Sequence, residues 1–543
     1  MLQTRLSVLA PFRHGDFRTL WTATLASNLG GLIQAVGAGW VMTMISDSSS
    51  MVALVQASTT LPIMLFSLVG GALADSFDRR RIMLVAQAMM MAVSVALAVC
   101  AFNGLLTPWL LLTFTFLIGC GTALHNPSWQ ASMGDLVPRA DLPSAVALNS
   151  MGFNLMRSVG PAVGGVIVAV AGGAFAFAIN ALSYLPLIAA LARWKHKETP
   201  NTLPREEFVS AIGAGMRYVL MTPNLLRVLL RGLVFGFAAI VVLALLPLVV
   251  RDLVGGGALT YGVMLGCFGM GAIAGALANA RLRERFSTEN IVRGAFLVFA
   301  SGVVGLALSK SVWLSCLFLL PAGACWVLAL SLFNTSMQLS TPRWVVGRSL
   351  SLYQTATFGG MAVGSWIWGS VAEAAGPSLA LLYATGVLVA GALVGVRFRL
   401  AEFGALDLNP LNQFREPELR LVVKPQSGPI MVMVDYEVDH SNIPDFLAAM
   451  TDRRRIRLRD GAQQWVLLRD LENPDIWTES YHVPTWVDYV RHNMRRTQSD
   501  AAVNERLQAL HRGAERPRVH RMLEYRAVPT IDNAALKDQF HTH

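Results

Sequence analysis

The chain is poor in charge. Only 14% of its 543 residues are Asp, Glu, Lys or Arg, against about a quarter in an ordinary soluble domain. The shortage is confined to one part. Residues 1–399 hold 25 basic and 13 acidic side chains, a net of +12, whereas the remaining 144 residues hold 19 and 21, a net of −2. The first part excludes a water-soluble globule and the second excludes burial in lipid. The basic excess belongs wholly to the apolar part, so no nucleic-acid partner is expected from it. Cysteine is scarce as well. Cys100, Cys120, Cys267, Cys316 and Cys325 all stand in apolar runs with no CxxC pair, which excludes a disulfide or metal framework, and no cofactor is expected. The apolar stretch after Phe17 is roughly twice a signal-peptide core and is read as an uncleaved first span.

What is there is a series of long apolar runs. A span needs about 20 such residues to cross about 30 Å of hydrocarbon. Runs at 18–44, 52–74, 82–102, 108–130, 144–171, 174–192, 225–250, 259–280, 290–309, 312–335, 354–374 and 377–398 predict twelve transmembrane helices. Charge alternates between the connecting loops. One set carries nineteen Lys and Arg residues, from Arg5 through Arg79–Arg81 and Arg281 to Arg399, and the other carries only Arg251 and Lys310. The positive-inside rule therefore puts both termini in the cytoplasm of a multi-pass inner-membrane protein. Within the polar stretch 193–224, Phe208, Ile212, Gly215 and Val219 recur at helical spacing, which predicts an amphipathic helix against the cytoplasmic surface. Arg227 and Arg231, one turn apart at the start of the seventh run, are expected to snorkel to that surface.

Six spans, a linker and six more suggest a duplication. Asn126-Pro-Ser-Trp-Gln130 ends the fourth run, Asn334-Thr-Ser-Met-Gln338 ends the tenth, and a Pro-Arg pair follows each. Parallel halves of this kind are expected to hold a substrate site between them near the midplane. The loop Gly71-Ala-Leu-Ala-Asp75-Ser-Phe-Asp78-Arg79-Arg80-Arg81 resembles the cytoplasmic signature of the major facilitator superfamily, with Ser76 and Asp78 departing from it. The resemblance implies a gate motif of Gly71, Asp75, Asp78, Arg79 and Arg80, in which Asp75 pairs across the loop. The run Arg157, Gly160, Pro161, Gly164 and Gly165 is similar to the signature of superfamily exporters: the glycines thin the helix for close approach and Pro161 frees a backbone carbonyl. Phe17 to Trp21 with Gln34 and Trp40, Asn126 to Pro138, and Gly347 to Gln354 resemble the enterobactin-exporter-like branch, the transmembrane secretion effectors. That resemblance implies a secondary exporter of a small amphiphilic molecule, siderophore or drug-like, and no enzyme. An importer of the same fold and a membrane-anchored enzyme acting through the tail are the alternatives.

No Asp or Glu stands near the middle of any run; Asp75, Asp135 and Glu373 lie near ends and Glu289 opens the ninth. Arg157 is the most embedded charge, placed either to meet an anionic substrate or to tie helix ends. Proton coupling would fall to His125, which can change charge near neutrality. Asn28, Gln34, Trp40, His125, Asn126, Trp129, Gln130, Asn154, Asn334, Gln338 and Tyr353 are the candidate lining of an aromatic, hydrogen-bonding cavity.

After residue 400 the pattern changes. Ile430, Val432, Val434, Tyr436 and Val438 alternate as a strand, a helix follows over Ile443–Met450, strands are expected at 464–471 and 476–483, helices at 486–497 and 500–511, and a last strand at 519–525. The order β-α-β-β-α-β predicts a small ferredoxin-like α+β domain. It resembles small dimeric α+β barrels, which implies a homodimer through this domain. Arg453–Arg455 with Arg457 and Arg459 is expected to form a solvated or membrane-facing helix end. The expected organisation is an N-terminal six-helix bundle (1–192), a cytoplasmic linker (193–224), a second bundle (225–399), a linker (400–428) and the α+β domain (429–543).

Overall fold

The computed structural model describes residues 9–138, 141–194, 208–342, 344–400, 408, 411, 414–513 and 515–525. The N-terminal half is α1 (Gly15–Ile45), α2 (Ser49–Ser76), α3 (Arg79–Phe102), α4 (Pro108–Leu136), α5 (Leu142–Ala171) and α6 (Gly173–Arg193). A shorter α7 (Phe208–Met221) leads into α8 (Pro223–Leu248), α9 (Ala258–Arg285), α10 (Thr288–Leu308), α11 (Val312–Leu339), α12 (Val346–Ala375) and α13 (Pro377–Arg397). Polar caps set several of the starts. Ser48, Thr107 and Ser287 accept backbone N–H groups in the first turns of α2, α4 and α10. Gly172, at φ 85°, ends α5 and opens α6 with a single residue between them.

Eleven of these helices are long and apolar enough to cross a membrane; α12 is not among them. Its sequence is rich in Gly, Ser, Thr and Trp, which lowers its mean hydropathy. The same small residues let it lie close to its neighbours: a Cβ on Gly369 would stand 2.6 Å from that of Ala53 on α2, and one on Gly364 would collide with the Phe237 carbonyl of α8. Small-residue contact of this kind replaces bulk apolarity as the means of association in lipid.

The chain divides into two compact units. One comprises Met1–Phe208, Leu226–Met337 and Leu350–Glu402; the other comprises Val209–Leu225, Gln338–Ser349 and Phe403–His543. In the first, α1 runs against α5 and α6, α2 against α4, α3 against α6, and α10 against α13. The two halves meet along α5 with α9 and along α2 with α12. In the latter seam, Ser67 and Thr355 hydroxyls lie 3.0 Å apart and the Glu373 carboxylate accepts from the Ser48 hydroxyl (2.9 Å) and the Ser50 N–H (3.1 Å). Arg231 does not snorkel. It is buried and paired with Glu289, its Nη1 within 2.8 and 2.7 Å of the two carboxylate oxygens, and Glu289 also accepts from the Leu400 N–H at 3.0 Å. A carboxylate in the first turn of α10, at the same depth as Arg231, made pairing cheaper than reaching for water.

The second unit is built on β1 (Ile430–Glu437), α14 (Ile443–Asp460), β2 (Gln463–Arg469), β3 (Ile476–Val483), α15 (Trp486–Met494), α16 (Gln498–Leu510) and β4 (Arg518–Leu523). The sheet order is β2-β3-β1-β4 and all neighbours are antiparallel, with Val432 opposite both Tyr481 and Arg521. That is the ferredoxin-like arrangement expected. Val432, Val434, Tyr436, Phe446, Tyr481 and Tyr489 form its core between the sheet and the helices.

The unit also takes in α7 and residues 338–349. Tyr218 and Val219 of α7 are buried; Tyr218 meets Trp344 edge-on at 5.6 Å and lies under the Arg459 guanidinium at 5.1 Å. Arg495 lies over Trp344 at 3.9 Å. Contacts of this type contribute about 0.5–2 kcal/mol each. The arginine run on α14 is correspondingly not a solvated end. Arg454 and Arg455 are exposed, whereas Arg453 and Arg457, one turn apart on the opposite face, are buried against Glu479.

Candidate transport site

The arginine loop between α2 and α3 is organised by Asp78. Its carboxylate accepts the Arg80 backbone N–H at 2.9 Å and caps α3, which gives a physical role to an acid where the superfamily signature has Gly. Arg81 Nε lies 3.6 Å from the same carboxylate. Arg79 Nη1 donates to Asp135 at 2.9 Å and to the Ala131 carbonyl at 3.0 Å, tying α3 to the last turns of α4. Arg80 donates to the carbonyls of Leu191 (2.8 Å) and Ala192 (2.6 Å), where the C-terminal end of α6 offers orphan acceptors and the negative end of its dipole. The motif thus ties three helix ends together. The side chains of Gly71 and Asp75 lie outside the described residues.

The glycine run on α5 serves two neighbours. A Cβ on Gly160 would stand 2.7 Å from that of Leu32, and one on Gly164 would stand 3.1 Å from the Ile33 Cα, both on α1. Gly165 faces the other half, where a Cβ would lie 2.5 Å from the Gly262 Cα of α9 and 3.3 Å from the Ala258 carbonyl. This glycine-to-glycine crossing sits near the end of α5 remote from the arginine loops. The seam continues at that end with the Trp40 ring stacked on Tyr261 at 6.3 Å and Arg251 Nη1 donating to the Thr43 carbonyl at 3.3 Å. Gly165→Val is expected to wedge the crossing open, lowering the melting temperature in detergent and the export rate together. Unchanged values for both would show that the backbones have room to separate without cost.

Arg157 lies eight residues, about 12 Å of helix, from Gly165 towards the arginine-rich ends. Its guanidinium carbon sits 5.6 Å from the ring centre of Trp326 on α11 of the other half. Trp326 is buried among Phe235, Phe268 and Phe299 at 6.0–6.3 Å. Among the described residues Arg157 has no carboxylate or other hydrogen-bond partner, and Asp135, one of its expected partners, is engaged by Arg79. The seam therefore presents, towards its arginine-rich end, a cation on an aromatic floor.

The polar candidates do not share one place. Gln34 is buried inside the N-terminal bundle, where its carbonyl oxygen accepts from the Ser94 hydroxyl at 3.0 Å and from the Asn180 amide, which also donates to the Tyr184 hydroxyl at 3.1 Å. Trp129 is a core residue whose indole N–H donates to Asn149 at 3.0 Å. Tyr353 is buried against Gly232 of α8 and donates to the Leu330 carbonyl at 3.3 Å. These three join helices within a half. Asn126, Gln130 and Gln338 are exposed, while Asn28, Trp40 and Asn334 are partly buried. His125 is buried, and its Nδ1 has no partner among the described residues. The Asn154 side chain lies outside the described residues. Trp326, one of the aromatic residues that the apolar runs offer for a cavity, is brought to Arg157; Asn180, a lone amide in the sixth run that completes the Gln34 cluster, carried no signal in the sequence.

With this geometry in place, the known proteins it resembles agree. The sequence profile of the transmembrane secretion effectors matches residues 6–529. The enterobactin exporter EntS of Citrobacter koseri is 26% identical over 418 residues, covering 74% of this chain and 94% of the exporter. The staphyloferrin A transporter of Staphylococcus aureus is 29% identical over 157 residues, covering 29% of this chain and 40% of that protein. A solved bacterial homologue of the human lysosomal transporter Spinster, inward-facing and occupied, superposes with a TM-score of 0.59 at 14% identity, over 73% of this chain and 99% of its own. The chain belongs to the transmembrane secretion effector family of the major facilitator superfamily and is a multi-pass membrane transporter.

Proposed function

We propose that the protein exports a small, partly apolar anion of the siderophore class from the cytoplasm by alternating access between residues 1–192 and 225–399. The observation that carries this reading is Arg157, a cation on the Trp326 ring with no acidic partner among the described residues. A flat anion seated there would meet the guanidinium and the aromatic floor together. The names of the enterobactin and staphyloferrin A relatives support the same ligand class. The arginine-rich ends are read as cytoplasmic, with both termini there, and the Gly165–Gly262 seam as the side that opens to release substrate. His125, buried with a free Nδ1, is the candidate for proton coupling. Asn28, Asn126, Gln130, Asn154 and Asn334 are candidates for the polar margin of the path. The test is siderophore secretion by cells lacking the protein, complemented with wild type or with Arg157→Gln. Secretion that is the same with and without the protein would remove the substrate class.

In the gate, Arg79 and Asp135 are read as a latch that holds α3 to α4 in one state and releases in the other, with Gly71 and Asp75 on the facing helix. Asp135→Asn is expected to reduce export several-fold at normal protein level, and the exchange of the pair, Arg79→Asp with Asp135→Arg, to restore part of it. An unaffected Asp135→Asn would reduce the pair to a surface contact, for which about 0–1 kcal/mol is usual. The open face of the tail sheet carries Met431, Met433, Val466, Leu468 and Met522 and is read as the surface where a second copy pairs; crosslinking through a cysteine at Leu468 tests it.

A further inference from the structure

The tail domain holds a cavity of about 450 Å3 between the inner face of its sheet and its helices. That volume falls within the range of small-molecule sites. Nothing in the transport cycle as read above uses it. Six arginines line it, from residues 415, 453, 457, 496, 516 and 521, and no Asp or Glu does. Behind the wall Glu479 lies 3.1 Å from Arg457 Nε and 3.5 Å from Arg453 Nε, while Asp460 and Asp500, beside the same arginines, are paired with Arg459. Among the described residues Arg496 makes no ion pair; its Nη2 donates to the Asn493 side-chain oxygen at 2.6 Å. Arg521 Nε donates to the Tyr489 hydroxyl at 2.6 Å. Burial first, and then the nearby Arg457 and Arg453, bring the Arg496 pKa down to about 10.

Arg453 and Arg457 are buried and share Glu479, and Arg496 is half-buried beside them; a second anion at this point would be stabilised by all three. The rest of the wall says what kind of anion. Val432, Val434 and the faces of Tyr436, Tyr481 and Tyr489 are flat or apolar, and the Asn504 and Gln508 amides lie at the margin. We propose that this cavity is a binding site for a small organic anion with an aromatic body, its charged group on Arg453, Arg457 and Arg496 and its ring among the tyrosines. An inorganic anion would satisfy the arginines and leave the apolar wall empty. The last turn of the helix that supplies Arg453 and Arg457 carries Arg459, which covers Tyr218 of α7, and α7 is followed in the chain by α8.

The test is calorimetric titration of the full-length protein in detergent with salicylate, a small aromatic carboxylate. It is done in the Arg157→Gln background, so that the transport cavity contributes no cation and the result stands apart from the export reading. Saturable binding is expected, weakened at least tenfold by adding Arg496→Gln and largely kept by Arg496→Lys. Hydrogen exchange across β1 and β3 reports whether each variant retains the folded domain. Absence of saturable salicylate binding would overturn the proposal, as would equal affinity for benzyl alcohol, equal affinity for inorganic phosphate, or an Arg496→Gln protein that is folded and binds undiminished.

Discussion

Arg157→Gln is expected to lower siderophore export ten- to a hundredfold while the protein accumulates at its normal level. A hydrogen bond to a charged group contributes about 1.5–3 kcal/mol, and each 1.4 kcal/mol is about a factor of ten. The second half of the expectation follows from what surrounds the residue. Arg157 makes no ion pair among the described residues, so its removal strands none of their carboxylates. Arg231→Gln gives the contrast. Glu289 would be stranded, buried with its pair gone, at a cost of about 3–5 kcal/mol, and the protein level would fall. Arg157→Lys keeps the charge but not the flat contact with Trp326 and is expected to fall between wild type and glutamine. Trp326→Ala removes only the ring, about 0.5–2 kcal/mol, and should cost less than Arg157→Gln. Vesicle transport measured beside immunoblots of each variant decides it. If Arg157→Gln exported normally, the guanidinium would be a packing element only.

The long apolar runs, the alternating loop charge and the β-α-β-β-α-β order were all legible in the sequence, because each rests on a repeated pattern that local chemistry dictates. The spans lost clarity only at α12, where small residues serve helix contact and not hydropathy. The sites were legible in part. The glycine run on α5 and the capping arginine loop carry short-range signals. The partners of long side chains did not, since pairing depends on which helices lie side by side. Gln34 looked like cavity lining until Ser94 and Asn180, 60 and 146 positions away, surrounded it. Arg231 and Glu289 are 58 positions apart, and their equal depth was the only clue that they would meet. The arginine run on α14 misled for a related reason. Its i, i+4 members face inwards only because Glu479 waits on a strand that the helix crosses.

Glu479 is the residue on which the tail domain most depends. It is fully buried on β3, accepts from Arg457 (3.1 Å), Arg453 (3.5 Å) and the Trp465 indole (3.0 Å), and has no water to fall back on. Burial alone would raise its pKa; Arg457, then Arg453 and the indole, overcome that and bring it down to about 2, from an ordinary 4.5. Depression of this size places stability on the ionised form. The contribution is fully present above about pH 4.5, is lost as pH falls towards about 2, and amounts to about 3 kcal/mol by linkage. Glu479→Gln keeps the shape and removes the charge, stranding two buried guanidinium groups. It is expected to destabilise the domain by about 3–5 kcal/mol and to remove the acid dependence between pH 4.5 and 2. His492, in contact with Arg457 Nη1 at 2.9 Å, adds no rescue in that range. Burial and the neighbouring arginines hold its pKa well below the usual value, and gaining a proton would bring another cation to the cluster. Hydrogen exchange of β1 and β3 in the full-length protein, followed from pH 6 to pH 3, reads both effects. Faster exchange at all pH values in Glu479→Gln, with a flatter acid limb than wild type, is the expected pattern. A variant whose exchange matched wild type at pH 6 would mean that the arginines find other partners, and that the cluster is held by the ligand site they line rather than by this carboxylate.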